Sequence, residues 1–134
     1  MQYTTILALI TAIAAPALAA PAGAPAITTW TLRDFTRACN GACTYDYTII
    51  TGQDATPCSY TAAGPQASYN NVHCGAFTIS SNWSGQFGPG QGFQTLAVVR
   101  DGQIVYPGYS DAELVNGQAV VPDKAFQPQA VGQF

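Results

Sequence analysis

Four cysteines lie between Cys39 and Cys74, and they follow an apolar N-terminal segment. That segment ends in Ala17-Leu18-Ala19, a small-x-small pattern typical of signal-peptide cleavage. A chain exported through an oxidising compartment forms disulfides by default. The sequence therefore predicts a small secreted, extracellular protein whose fold is constrained by two disulfide bonds.

The chain divides into four expected segments. We expect a signal peptide over residues 1–19, a flexible start over 20–27, a β domain over 28–123 and a loose C-terminal tail over 124–134. A membrane-spanning helix needs about 20 apolar residues, and Pro16 interrupts the apolar leader. The C-terminal residues also lack the hydrophobic tail of a lipid-anchor signal. We therefore expect a released protein with no membrane anchor.

Charged residues make up only 8% of the 134 residues, and the net charge is −3. The basic residues are few and scattered along the chain: Arg33, Arg37, Arg100 and Lys124. Phosphate backbones and anionic lipid surfaces are bound by clustered basic side chains. The composition therefore argues against nucleic acid and against membrane surfaces as partners.

Alternation of apolar and polar residues is the strongest local pattern. Tyr45, Tyr47 and Ile49 alternate with polar residues, which predicts a strand with one buried face. A similar alternation begins at Trp30 but loses its phase at Phe35, which predicts a β-bulge or a bend. After the leader we find no helical periodicity, so the expected class is all-β.

Two dipeptides predict tight hairpins. Asp101-Gly102 and Asn116-Gly117 each lie between short apolar runs, and both dipeptides tolerate the positive φ angles of a two-residue turn. The predicted strands, including those that flank the two turns, number about eight. A compact antiparallel β-barrel would leave few strand edges exposed, and a β-sandwich is the alternative architecture.

The cysteines are read as scaffold. Cys39 and Cys43 sit where one strand gives way to the next, whereas Cys58 and Cys74 flank a longer excursion. Four cysteines allow three pairings, and the residues alone do not choose among them. A four-thiolate zinc site would need two short cysteine pairs of the usual spacing, which are absent. We expect no metal and no other cofactor.

Few residues offer catalytic chemistry. His73 is the one histidine, and it lies beside Cys74, so we expect a plain strand or surface residue. Asp111 and Glu113 would share a strand face about 6–7 Å apart, which approaches the separation of the carboxyl pair in inverting glycosidases. A solvated strand face explains the same pattern. A small secreted hydrolase therefore remains the less favoured alternative, and we expect that the protein is not an enzyme.

Surface features suggest modification and binding. Asn82-Trp83-Ser84 is a sequon, so Asn82 is a candidate glycosylation site. Most tyrosines are expected in the core, but exposed aromatics near Phe87 or Phe93 could form a binding patch. A barrel mouth lined by tyrosines would instead bind a small ligand. The sequence does not locate the binding surface.

The order of these signals resembles a known family of proteins. The residues that carry the likeness are Trp30, Leu32 and Phe35 in the opening strand, Cys58-Ser59-Tyr60, His73-Cys74-Gly75, Val105-Tyr106-Pro107-Gly108-Tyr109-Ser110-Asp111 and Val115-Asn116-Gly117. Together they resemble small secreted fungal elicitors of the plant hypersensitive response. Those elicitors look like relatives of the Alternaria major-allergen-like group of β-barrel proteins. The likeness covers about residues 28–123.

This resemblance implies a fold and a role. It implies a secreted, non-enzymatic barrel that a plant host perceives, or that binds host defence proteins outside or at the surface of the plant cell. It favours a Cys58–Cys74 bridge, which leaves Cys39 to pair with Cys43. The chain lacks the extra cysteine that links allergen-type dimers, so we expect a monomer. The resemblance transfers no active site.

Overall fold

The computed structural model describes residues 28–131. The expected signal peptide, the flexible start and the last three residues lie outside this range. Two short 3-10 helices, Asp111–Glu113 and Val115–Gly117, are the helical elements of the described part, and none of its helices could span a membrane. Its ten strands are β1 Trp30–Asn40, β2 Ala42–Thr51, β3 Asp54–Ala62, β4 Tyr69–Cys74, β5 Phe77–Ser84, β6 Phe93–Arg100, β7 Gln103–Val105, β8 Gly108–Ser110, β9 Lys124–Phe126 and β10 Gln129–Ala130.

The strands form two sheets that share one core. The first sheet has the order β3-β2-β1-β9, and the second has the order β10-β7-β6-β5-β4, with β8 also paired to β6. The all-β class is confirmed, but the expected barrel of about eight strands is wrong. Within residues 28–131 no ladder joins the edges of the two sheets, so the architecture is the alternative, a sandwich.

Alternating burial explains how the two sheets meet. Each long strand turns one row of side chains inward and the other outward. The buried apolar residues from both sheets form one cluster: Trp30, Leu32, Phe35, Cys43, Tyr45, Tyr47, Ile49, Cys58, Cys74, Phe77, Ile79, Leu96, Val98, Val105, Tyr109, Leu114 and Val120.

The bulge predicted near Phe35 is confirmed. Between β1 and β2 the register shifts after Arg33 and resumes at Thr36, and Asp34 has a φ of 55°. An extra residue in one strand of a ladder bends that strand and re-aims its side chains. Here the bulge turns Phe35 into the core, where its side chain is fully buried.

The two hairpin predictions have different outcomes. Asp101-Gly102 joins β6 to β7 with φ angles of 51° and 74°, as predicted. Asn116-Gly117 also adopts positive φ angles, but it lies in a 3-10 helix and joins no strands. The physical reason is a tertiary contact. The backbone N–H of Val120 donates to the carbonyl of Phe35, so the segment that follows Asn116-Gly117 packs on β1 instead of forming a strand of a hairpin. The second predicted hairpin is therefore wrong.

The C-terminal segment completes both sheets. β9 pairs with β1 at the edge of the first sheet, and β10 pairs with β7 at the edge of the second. The sequence predicts a loose tail over residues 124–134 and a domain that ends at residue 123, whereas β9 and β10 lie beyond that boundary. The difference arises because backbone groups of a polar segment can satisfy open sheet edges whatever the side chains are.

Two disulfides fasten the fold. Cys39 and Cys43 are direct cross-strand partners at the closed end of the β1–β2 hairpin. The Cys58–Cys74 bridge joins β3 to β4, which are edge strands of different sheets. This is the pairing that the family resemblance implies. In the chain-entropy view, a bridge that closes a loop of this size stabilises the folded state by about 3 kcal/mol.

Candidate functional site

Asp111, one of the two carboxylates of the hydrolase alternative, is part of a structural junction. Asp111 Oδ1 pairs with Arg37 Nη1 at 3.0 Å, and Asp111 Oδ2 accepts a hydrogen bond from Trp83 Nε1 at 2.9 Å. The same Arg37 nitrogen donates to the carbonyl of Pro65 at 3.1 Å. We call Arg37, Asp111 and Trp83 the inter-sheet junction, because they join β1 of the first sheet to β5 and the end of β8.

The second carboxylate has other partners. Glu113 accepts a hydrogen bond from the backbone N–H of Ser110 at 2.9 Å and forms an ion pair with Lys124 at 3.1 Å. Partial burial raises the pKa of the Glu113 carboxyl, but the bonds from Ser110 and Lys124 outweigh burial and hold this pKa below its usual range. Both acids are thus engaged by neighbouring groups of the fold.

The strand expected for Asp111 and Glu113 is wrong, because they lie on a 3-10 helix that Ser110 caps. The glycosidase-like arrangement required two carboxylates on one strand face beside a sugar cleft. Each carboxylate instead forms its own ion pair. The hydrolase alternative therefore loses its geometric basis.

The histidine and the cysteines take structural positions. His73 is exposed on β4, opposite Thr78 of β5. All four cysteines are in disulfides, so they provide no thiolates for a zinc site. Among residues 28–131 no group of three or more potential ligand side chains is placed to hold a metal ion.

A chain of part-buried tyrosine hydroxyls runs along one side of the core. Tyr60 is hydrogen-bonded through its hydroxyl to Tyr47 at 2.8 Å and to Tyr69 at 2.9 Å. Nearby, the Tyr45 hydroxyl donates to Gln94 Oε1 at 3.0 Å. Burial raises the pKa of the Tyr47, Tyr60 and Tyr69 hydroxyls well above their usual range. These rings fill the space between the sheets, so they do not line an open mouth for a small ligand.

This hydroxyl chain predicts alkaline unfolding. Tyrosines in the unfolded chain ionise near pH ~10, whereas burial keeps Tyr47, Tyr60, Tyr69 and Tyr109 neutral in the folded protein. The folded state then binds more protons, so the tyrosine contribution to the free energy of unfolding is constant below about pH 10 and falls above it. Chemical denaturation at a series of pH values measures this decrease.

A spectroscopic titration gives the matching control. Tyrosinate absorbance of the buried hydroxyls should appear together with the loss of near-ultraviolet circular dichroism, since these groups ionise only when the core opens. Replacing Tyr60 with Phe should make the dependence of stability on pH shallower, because one fewer shifted group contributes. A free energy of unfolding that stays constant well above pH ~10 would contradict this prediction.

The outer faces of the two sheets differ in charge. On the first sheet, the bulge borders a depression of about 540 Å³ lined by Arg33, Asp34 and Asp46 among other residues. The second sheet contains β4, β5 and β6, and no Asp, Glu, Lys or Arg occurs between Asp54 and Arg100, the last residue of β6. One face is therefore charged and indented, and the other is largely uncharged.

An exposed aromatic loop joins β5 to β6. In residues 85–92, Phe87 is 66% exposed, and its ring stacks on Phe93 with centroids 5.8 Å apart. The loop begins and ends at Gly85 and Gly92, where a Cβ atom would overlap the ring of Trp83. Both ends are therefore packed against the inter-sheet junction while Phe87 projects. We call residues 85–92 the Phe87 loop.

Comparison with known proteins identifies the family. The profile of the family described as "Effector TSP1" matches residues 31–131. The chain belongs to the Effector TSP1 family. A curated protein named Effector TSP1, from Hypocrea virens (strain Gv29-8 / FGSC 10586), is 39% identical over an alignment of 134 positions, and the alignment covers 92% of this chain and 91% of that protein.

Membership in the Effector TSP1 family bears on the earlier resemblance in two ways. The effector part of that resemblance is confirmed by the family match. The relation to the Alternaria major-allergen-like group stays a prediction. The matched region contains both disulfides, the Phe87 loop and the inter-sheet junction.

Proposed function

We propose that this chain is a secreted fungal effector that acts on a plant host, either because the plant perceives it or because it binds a host defence protein. The observation that carries this proposal is membership in the Effector TSP1 family, together with the relative of that name in Hypocrea virens. The two disulfides support an extracellular location, since such bonds persist in oxidising compartments.

The Phe87 loop is the surface that we assign to recognition. Its exposed aromatic ring is held over a base that is fixed at both glycines, so it loses little conformational freedom on binding. Aromatic side chains are also enriched in the buried centres of protein interfaces. A protein partner with an apolar pocket is the class of host molecule that fits this loop.

Leaf infiltration tests the proposal. Purified, oxidised protein should provoke necrosis or defence signalling, and Phe87→Ala should weaken that response several-fold. Val121→Ala is the matched control, because Val121 is 77% exposed but lies outside the Phe87 loop. Both variants should keep the circular dichroism spectrum and the unfolding midpoint of the parent protein.

The possible results distinguish failure of the effector proposal from failure of the assignment of the Phe87 loop. If folded parent protein leaves several plant species unresponsive and captures nothing from plant extracellular fluid, the effector proposal is wrong. If the parent protein is active and Phe87→Ala is equally active, the effector proposal stands and the assignment of the Phe87 loop is wrong. Small-ligand binding by a tyrosine-lined mouth has no support here, because the tyrosine rings are packed between the sheets.

A further inference from the structure

The sequon Asn82-Trp83-Ser84 lies on β5 with its two essential residues turned outward. Asn82 is exposed, whereas Ser81 on the opposite side of the strand is buried in the core. Trp83 is turned inward to the inter-sheet junction, where its indole N–H donates to Asp111. The central tryptophan of the sequon therefore contributes to the inter-sheet junction, and the side chain of Asn82 projects into solvent.

The surroundings of Asn82 suit a bulky hydrophilic group. β5 is an interior strand of the second sheet, and Asn82 pairs with Thr95 of β6, which is also exposed. The diagonal neighbour Phe93 lies on the same outer face, within the 7–8 Å or so that separates diagonal pairs. A group attached to Asn82 therefore has an uncharged cross-strand neighbour and one aromatic ring nearby.

We propose that Asn82 carries an N-linked glycan that covers the centre of the uncharged outer face of the second sheet. In this transfer, a lipid pyrophosphate-linked oligosaccharide is the donor. The bond between the first sugar C1 and the pyrophosphate oxygen breaks, a bond from C1 to Asn82 Nδ2 forms, and the amide loses one proton as the lipid pyrophosphate leaves. The proposal rests on the secretion included in the proposed function, because this transfer takes place in the secretory pathway.

The glycan has a physical consequence for the second sheet. The paired outward-facing residues of β5 and β6 carry no charge: Thr78, Ser80, Asn82, Thr95, Ala97 and Val99. Charged side chains are one of the means by which sheets avoid association, and this face lacks them. A glycan is bulky and solubilising, so it keeps this face hydrated.

Mass spectrometry of protein expressed in a filamentous fungus tests the site. Protein expressed from the full-length sequence and recovered from the medium should be heavier than the mass of its processed chain, and peptide-N-glycosidase F should remove the excess and leave Asp at position 82. The sequence contains no second sequon, so any N-glycan belongs to Asn82. Asn82→Gln and Ser84→Ala should both abolish the added mass.

A control variant on the same strand keeps the outcomes distinct. Ser80→Ala changes a neighbouring side chain of β5 but leaves the sequon intact, so its added mass should equal that of the parent. Parent protein recovered without added mass overturns the glycan and leaves secretion standing. Protein confined to the cytosol contradicts secretion, and it then overturns both the glycan and the proposed extracellular function.

Discussion

Replacing Asp111 with Ala is expected to lower the free energy of unfolding by about 3 kcal/mol. The Arg37 side chain is only 7% exposed, and its guanidinium would lose the carboxylate 3.0 Å away. A buried cation without its partner is costly because water cannot replace the lost interaction. Trp83 Nε1 would lose its acceptor as well. The expected loss lies at the low end for buried pairs because the Asp111 side chain is 29% exposed and admits some water.

Glu113 provides the matched control for Asp111. It lies two residues away on the same 3-10 helix, and its cation, Lys124, is 28% exposed where Arg37 is 7% exposed. Exposed ion pairs contribute about 0–1 kcal/mol, so Glu113→Ala should cost about 1 kcal/mol once the lost cap at Ser110 is included. Equilibrium denaturation in urea measures both variants. Equal losses for the two acids would contradict the junction as described.

A double-mutant cycle measures the interaction energy between Arg37 and Asp111. Arg37→Met alone should also destabilise, because Asp111 then lacks its cation. The double variant Arg37→Met/Asp111→Ala should lose less than the sum of the single losses, since no unpaired charge remains. Asp111→Asn should fall between parent and Asp111→Ala, because the amide oxygen can still accept from Trp83. Strict additivity of the two single losses would mean that the side chains do not interact.

Local patterns predicted the parts of this fold that depend on neighbours in sequence. The alternation of apolar and polar residues predicted the long strands, and the break in that alternation at Phe35 predicted the bulge. Asp101-Gly102 predicted a hairpin. In each case the physical cause, strand pleating or a positive φ angle, acts within a few residues. The same local reasoning proposed a hairpin at Asn116-Gly117, where a contact with β1 decided the outcome.

Non-local contacts explain what the sequence did not reveal. Arg37 and Asp111 are 74 residues apart, so no spacing rule could join them. The inward position of Arg37 on β1 was the available signal, because a charged residue in a buried row requires a partner. Whether two β-sheets close as a barrel or stay a sandwich likewise depends on edge pairing between distant strands. The recognition surface depends on exposure, which the fold alone determines.

Replacing Phe35 with Ala is expected to lower the free energy of unfolding by about 3–5 kcal/mol. The ring is 1% exposed and stacks on Tyr109 with centroids 4.0 Å apart, and on Tyr47 with centroids 4.7 Å apart. Its removal leaves a cavity between the sheets that these rigid rings cannot collapse to fill. Phe35→Leu should cost less, because most of the volume is retained. Guanidinium denaturation followed by near-ultraviolet circular dichroism measures the loss.

Phe87→Ala is the control for the same chemical change at the surface. Phe87 is 66% exposed and packs mainly on Phe93, so its removal should change the free energy of unfolding by no more than about 0.5 kcal/mol. The two variants distinguish a buried phenylalanine that stabilises the core from an exposed one that we assign to recognition. Phe35→Ala should lose host activity only in proportion to the unfolded fraction, whereas Phe87→Ala should lose it while fully folded. If Phe35→Ala were as stable as Phe87→Ala, the aromatic core assigned to the sandwich would be wrong.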